Sequence, residues 1–277
     1  MKHELKLIFV IFVGFIALLW FEKPLKALLL NYDLTELNAK LISGIFMRSL
    51  IVAISLWIIK KLGFIKYNGL ENGIEFTNLS ALAIPSIFIL FGLMSNSQTF
   101  LSTNPLVLLL FLASVLTIGF VEELVFRGTI LPLFINYFRE KKNVLFWSVF
   151  LTSSIFGIIH FINIFKEPEN ILGITHQVFF AISIGVFFGG LMLKSKNIVI
   201  PSLFHGLVNF AFGAGELNPT SSQVVVEKVS EGINWSSVIP TTIFFTFILL
   251  AGVNMIKKVD RKTILENLDR WAVQKEN

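Results

Sequence analysis

Apolar runs close to bilayer length dominate the chain, separated by short polar turns. In order they cover residues 7–21, 41–59, 79–94, 106–138, 144–161, 171–193, 198–212 and 238–256. A helix of about 20 apolar residues crosses the hydrocarbon core while satisfying all of its backbone N–H and C=O groups internally. The pattern predicts an all-α, polytopic membrane protein with about eight transmembrane helices. The run 106–138 is too long for one upright crossing at about 1.5 Å per residue, so it must tilt or protrude, with Pro132 as the expected kink. The run 7–21 follows a short basic lead and is built like the core of a signal peptide. No small-x-small cleavage site follows it, so it reads as an uncleaved first span.

Polar segments are few. Residues 68–78 and 215–235 read as connectors, the second rich in Ser, Thr, Asn and Glu and expected to face outward. The tail 257–277 has mixed charge, with Ile264, Leu265, Leu268 and Trp271 at helical spacing. That pattern predicts a cytoplasmic amphipathic helix lying on the inner leaflet. The expected organisation is one transmembrane domain over residues 1–256, followed by this tail over 257–277. Gly185 and Gly189 form a GxxxG pair suited to close helix packing.

Composition agrees. Of 277 residues 55% are hydrophobic and 15% charged, where a soluble domain carries about 25% charged residues. The chain has no cysteine, which excludes disulfides, thiolate metal ligands and a cysteine nucleophile. The net charge of +5 needs no nucleic-acid partner. With alternating spans, sixteen basic residues fall on the side of the two termini and five on the other, with Arg48 and Arg127 inside spans, accounting for all 23. By the positive-inside rule both termini are cytoplasmic, which fits an even number of spans. Membrane lipids are the expected surroundings. The basic lead, the small loops and the lack of an organellar signal point to a bacterial plasma membrane.

Ionisable groups at bilayer depth cost several kcal/mol unless paired or wet. Residues 121–128, Val-Glu-Glu-Leu-Val-Phe-Arg-Gly, place Glu122, Glu123 and Arg127 in a segment uncharged from 105 to 120 and again from 128 to 138. Glu123 and Arg127, four apart, share a helix face and can pair. Glu122 is left over. Other polar groups at depth are His160, with Phe156 four residues before it, and His205 with Asn209 on one face of the next-to-last span. Glu122 and His160 are equally far from the basic turn centred near residue 141, which sets them level in an antiparallel hairpin.

Such a set suits hydrolysis by activated water. Glu122 can take a proton from water with His160 as orienting partner, and His205 and Asn209 can donate to an oxyanion. Phe156 is expected to wall the cavity. The same residues admit zinc, with Glu122, His160 and His205 as three N/O ligands, although no His-Glu-x-x-His is present. The metal-free reading is preferred. His176, at the far end of its span, is left outside the set, and Arg48 reads as a structural pair or a lipid-headgroup contact. A non-enzymatic reading also stands: an immunity or scaffold protein, or a transporter using Glu122 and His160 as a proton relay.

Glu-Glu-x-x-x-Arg (Glu122, Glu123, Arg127), Phe-x-x-x-His (Phe156, His160) and His-x-x-x-Asn (His205, Asn209) resemble, in order and spacing, the motifs of the CAAX protease and bacteriocin-processing (Abi) family of intramembrane proteases. That family includes the type II CAAX prenyl endopeptidases. The stretch before His205, with its Lys-Ser-Lys-Asn turn and Ile-Val-Ile-Pro, is similar to it as well. The resemblance covers a core of about residues 105–212. It implies an eight-helix endopeptidase with the active site inside the bundle, acting on membrane-associated proteins or peptides. Glu122 and His160 would activate water, His205 and Asn209 would stabilise the oxyanion, and Glu123 and Arg127 would support the site. Members are often described as metalloendopeptidases, and bacterial ones are tied to bacteriocin maturation or immunity, or to peptide signalling.

Overall fold

The computed structural model describes residues 3–71, 79–165, 167–217 and 235–276, and all described elements are helical. Most of the two polar connectors, 72–78 and 218–234, lies outside the described residues, as do Lys2, Lys166 and Lys228 of the charge count and the side chain of Trp271.

The chain opens with α1 (His3–Trp20) and α2 (Glu22–Leu30), followed by α3 (Glu36–Lys61). Thr35 caps α3 by accepting from the Asn38 N–H, Glu36 lies in its first turn, and Lys60 and Lys61 lie in its last. These charges complement the helix dipole at both ends. After α4 (Ala83–Ser95) and the short α5 (Ser97–Ser102), Asn104 caps α6 (Pro105–Glu123) by accepting from the Leu106 N–H, with Pro105 in the first turn. Proline suits that place because its missing N–H would have no helical partner there.

The helical run continues from Pro105 to Tyr137, 33 residues, but not as one regular helix. Leu124–Ile130 is π-helical, and α7 (Leu131–Tyr137) resumes the α geometry. The irregularity expected at Pro132 thus falls one turn earlier, and Pro132 itself sits in the first turn of α7. A π segment widens the helix and re-aims the side chains around it, and it occurs often at functional sites.

The chain then folds back as α8 (Val144–Ile159), turns through 3₁₀ geometry over His160–Phe165 and Pro168–Asn170, and returns as α9 (Ile171–Ser195). Lys196, at φ 53°, makes the left-handed turn into α10 (Val199–Phe212). The final helices are α11 (Trp235–Lys257) and α12 (Arg261–Glu276).

Among the described residues, six helical segments are long and apolar enough to cross a membrane: His3–Leu30, Glu36–Lys61, Pro105–Tyr137, Val144–Phe165, Pro168–Ser195 and Val238–Lys257. The other two expected spans also form apolar helices, but α4 has 13 residues and α10 has 14. At about 1.5 Å per residue each covers only about 20 Å of the roughly 30 Å core.

The centre of the bundle is the stretch from Val121 to Ile135, in which Glu122 alone escapes full burial. Phe126, Ile130, Leu131, Leu133 and Ile135 are sealed in the main apolar cluster, joined by Ile59 and Phe64 from the α3 side. Leu106 and Leu109, early in α6, remain 65% and 62% exposed, as expected of a lipid-facing surface. The apolar stripe of α12 behaves differently from the expectation: Ile264 and Leu268 are buried in the same protein cluster, with α12 packed on α7. Ile264 and Leu268 thus face protein. At the edge of the expected connector, Phe64, Tyr67 and Asn68 are also buried, while Lys66 is exposed.

Candidate active site

Two helices supply the centre of the site, and their approach is set by two glycines. A Cβ on Gly119 of α6 would lie 2.5 Å from both Gly206 N and Ser202 O of α10, and one on Gly206 would lie 2.8 Å from the Cα of Leu116. The backbones touch only because neither residue has a side chain. Gly119 stands one turn before Glu122 and Glu123, and Gly206 directly follows His205. The crossing therefore sets His205 against both carboxylates.

Glu123 is fully buried and held from two sides. Its Oε1 accepts from Arg127 Nη1 at 3.0 Å, the helical pair expected from the spacing, and lies 2.8 Å from His205 Nδ1. Arg127, itself 1% exposed, runs under the Phe156 ring with its Cζ 5.0 Å from the centroid. That arrangement adds a cation–π contact to the ion pair. Gly185 leaves the room: a Cβ there would lie 2.9 Å from Arg127 Nη2. Its GxxxG partner Gly189 packs against Val149 of α8.

Glu122 has the opposite environment. Its side chain is 23% exposed, and its Oε2 lies 3.3 Å from His205 Nε2. Both ring nitrogens of His205 thus face carboxylates. The Phe188 ring stacks on His205 at 5.2 Å and fixes the plane of the imidazole.

His160 ends α8, where its Nδ1 donates to the Phe156 carbonyl at 3.0 Å, leaving Nε2 as the free ring nitrogen. Its ring meets the edge of Phe156 at 5.2 Å, and Phe156 in turn meets His205 at 6.1 Å. Phe156 is therefore the wall shared by His160, His205 and Arg127. Asn209 lies one turn beyond His205 on α10, half-buried, and its amide makes no hydrogen bond among the described residues.

Direct contacts thus unite Glu122, Glu123, Arg127 and His205, and Phe156 connects His160 to them. His176 lies apart, near the hydroxyls of Thr241 and Thr242 at 3.3 Å each. Arg48 is a structural pair: it binds both oxygens of Glu22 at 3.1 Å and the Ser114 hydroxyl at 2.8 Å. Among the described residues no three His, Cys, Asp or Glu side chains form a group able to hold a metal ion. Of the three candidate zinc ligands, Glu122 and His205 adjoin at 3.3 Å, whereas His160 is connected to them through the Phe156 ring.

Sequence reasoning did not single out Gly119, Gly206, Phe188 or Asn68. The two glycines carried a readable signal, each being within three residues of a candidate polar group. Phe188 carried none among 30 phenylalanines.

No curated protein and no solved structure matches the chain. Residues 103–211, which carry Glu122, Glu123, Arg127, Phe156, His160, His205 and Asn209, match the family model described as Type II CAAX prenyl endopeptidase Rce1-like. Over these residues the helical, membrane-spanning chain is therefore similar to the Rce1-like type II CAAX prenyl endopeptidases, a family of proteases.

Proposed function

We propose that the protein is an intramembrane endopeptidase that hydrolyses peptide bonds of membrane-associated proteins or peptides with water activated by Glu122. The observation that carries this reading is the contrast between the paired glutamates. Glu123 is sealed between Arg127 and His205, whereas Glu122 is the one residue of the buried 121–135 stretch that remains partly open, and it reaches His205 at 3.3 Å. Of the two glutamates, Glu122 is the one open to water, which supports its role as the base.

In the proposed reaction, Glu122 takes a proton as the water oxygen bonds to the scissile carbonyl carbon. His160, whose Nδ1 is committed to Phe156, orients that water through Nε2. The developing oxyanion is held by donors on α10, His205 Nε2–H and the Asn209 amide, so His205 exchanges its Glu122 contact for the substrate oxygen. When the tetrahedral carbon collapses, the C–N bond breaks and the proton held by Glu122 passes to the leaving nitrogen. Glu123 and Arg127 touch neither water nor substrate; they hold His205. The setting is a cell membrane with both termini in the cytoplasm, and lipid-anchored or membrane-inserted peptides are the substrates that can reach the site. In a bacterium these include peptides subject to maturation, immunity or signalling.

The test uses purified protein in liposomes with a mixture of lipid-anchored reporter peptides, reading new termini by mass spectrometry. Glu122→Gln and His160→Ala are expected to lower cleavage by about 10²–10⁴-fold while the variants elute and unfold as the parent does. Parental cleavage by Glu122→Gln would sink the proposal.

A further inference from the structure

The two helices that make the site are tied together a second time, on the side of the basic turns, by Asn68. Proline at 132 cannot supply the N–H that a continuing α-helix would direct at the carbonyl of Gly128, four residues back. That carbonyl is buried, in the π segment just after Arg127, and Asn68 Nδ2 donates to it at 3.0 Å. The same amide also donates to the Phe64 carbonyl at 2.9 Å, which closes a turn on the Asn68 side. The backbone carbonyl of Asn68 accepts from the N–H of Ile198, the residue that precedes α10, at 3.1 Å. One residue thus grips the helix bearing Glu122 and Glu123 with its side chain, and the helix bearing His205 with its main chain.

The surroundings leave this grip little freedom. Gly69 has φ +66°, and a Cβ there would lie 2.0 Å from the Lys196 carbonyl oxygen, so the turn after Asn68 is seated directly on the backbone of the turn leading into α10. A Cβ on Gly128 would lie 3.1 Å from Asn68 Oδ1 and 3.0 Å from Ile59. Asn68 is completely buried. Gly119 and Gly206 set the distance between α6 and α10 at their crossing. A single crossing leaves one helix free to slide and rotate on the other, and a second fixed point removes that freedom.

We propose that Asn68 is a positioning residue for the active site: it fixes the register of α10 against the π segment and so holds His205 in line with Glu122 and Glu123. The part of this inference that concerns catalysis rests on the proposed peptidase reading; the part that concerns register does not.

Two measurements separate them. Because the chain has no cysteine, Leu106→Cys and Leu203→Cys on the exposed faces of α6 and α10 give a spin-label pair without background. Pulsed dipolar spectroscopy on the parent is expected to give one narrow distance, and Asn68→Ala to broaden or shift it. An unchanged distribution overturns the proposal whatever the protein catalyses. In the cleavage assay, Asn68→Ala is expected to lower kcat by about 10²-fold with KM within about twofold, as loss of alignment does.

Pro132→Ala in the Asn68→Ala background supplies a backbone N–H near the orphaned carbonyl and distinguishes positioning from plain stability. A kcat that stays low after the thermal midpoint recovers supports positioning; a kcat that returns together with the midpoint overturns it. If Glu122→Gln cleaves as the parent does, the peptidase reading fails, and the spin-label distances still decide the role of Asn68.

Discussion

An alanine at position 119 tests the geometry of the site without touching any of its polar groups. The added Cβ would lie 2.5 Å from Gly206 N, 2.5 Å from Ser202 O and 2.9 Å from Gly206 Cα, all backbone atoms of α10. Non-bonded atoms settle at about 3.5 Å or more, so α10 must retreat by about 1 Å. His205 retreats with it. Its 2.8 Å contact to Glu123 and 3.3 Å contact to Glu122 then lengthen to about 3.8 and 4.3 Å, beyond hydrogen-bond range. Alanine favours a helix over glycine by about 1 kcal/mol, whereas overpacking costs about 1–3 kcal/mol and a buried partner left without its hydrogen bond about 1–3 kcal/mol more.

The expected net loss for Gly119→Ala is about 1–5 kcal/mol of stability. Cleavage should fall by about 10²-fold, the usual consequence of a 1 Å misplacement. Gly14→Ala is the matched control: it makes the same substitution in α1, where a Cβ meets nothing within 4 Å, and should be neutral or stabilising. Denaturant unfolding in detergent and reporter-peptide cleavage in liposomes read the two effects. If Gly119→Ala matched Gly14→Ala in both, the crossing would not set the site and the reasoning would fail.

Arg127→Met should cost about 3–5 kcal/mol, because it leaves Glu123 charged and buried; adding Glu123→Gln should recover part of the loss, and a single variant as stable as the parent would contradict the pairing. Tyr67 follows α3 in the 64–69 turn, is 2% exposed, and its hydroxyl has no hydrogen-bond partner among the described residues. Burial pushes its phenol well above the usual range. The folded state therefore keeps a proton that the unfolded chain loses above about pH 10, and stability falls as pH rises past that point. Tyr67→Phe should stabilise by about 1 kcal/mol at neutral pH by removing an unpaired hydroxyl, and its advantage should grow between about pH 10 and 11; equal pH dependence in parent and variant would remove the argument. Since Glu122 can take the proton itself, cleavage should persist in a chelator; activity lost there and restored by one equivalent of zinc would transfer the role to a metal.

Much of this was determined by residue order alone, because it depends on local physics. Apolar runs define the helices, since an unpaired backbone cannot stay in hydrocarbon. The Glu123–Arg127 contact follows from a four-residue spacing on one helix. The same spacing placed Asn209 with His205, and Phe156 with His160. The match over residues 103–211 coincides with the stretch in which these motifs fall.

Tertiary structure decided the rest, because it depends on distances between helices and on rotations that spacing along the chain does not contain. Residues 82 positions apart, Glu123 and His205, meet at 2.8 Å because two glycines let α6 and α10 touch. Counting from the hairpin set Glu122 level with His160, but only helix rotation decided that Phe156 meets Arg127 and His205 and that His205 faces the glutamates. The π segment could not be read from Leu124–Ile130, whose composition suits an α-helix equally well. Asn68 looked like the start of a solvated connector and is instead a buried tie, because a proline 64 positions later leaves a carbonyl for it to satisfy. Adjacent glutamates with the same local sequence acquire different environments for one reason: the bundle buries Glu123 completely and leaves Glu122 partly open.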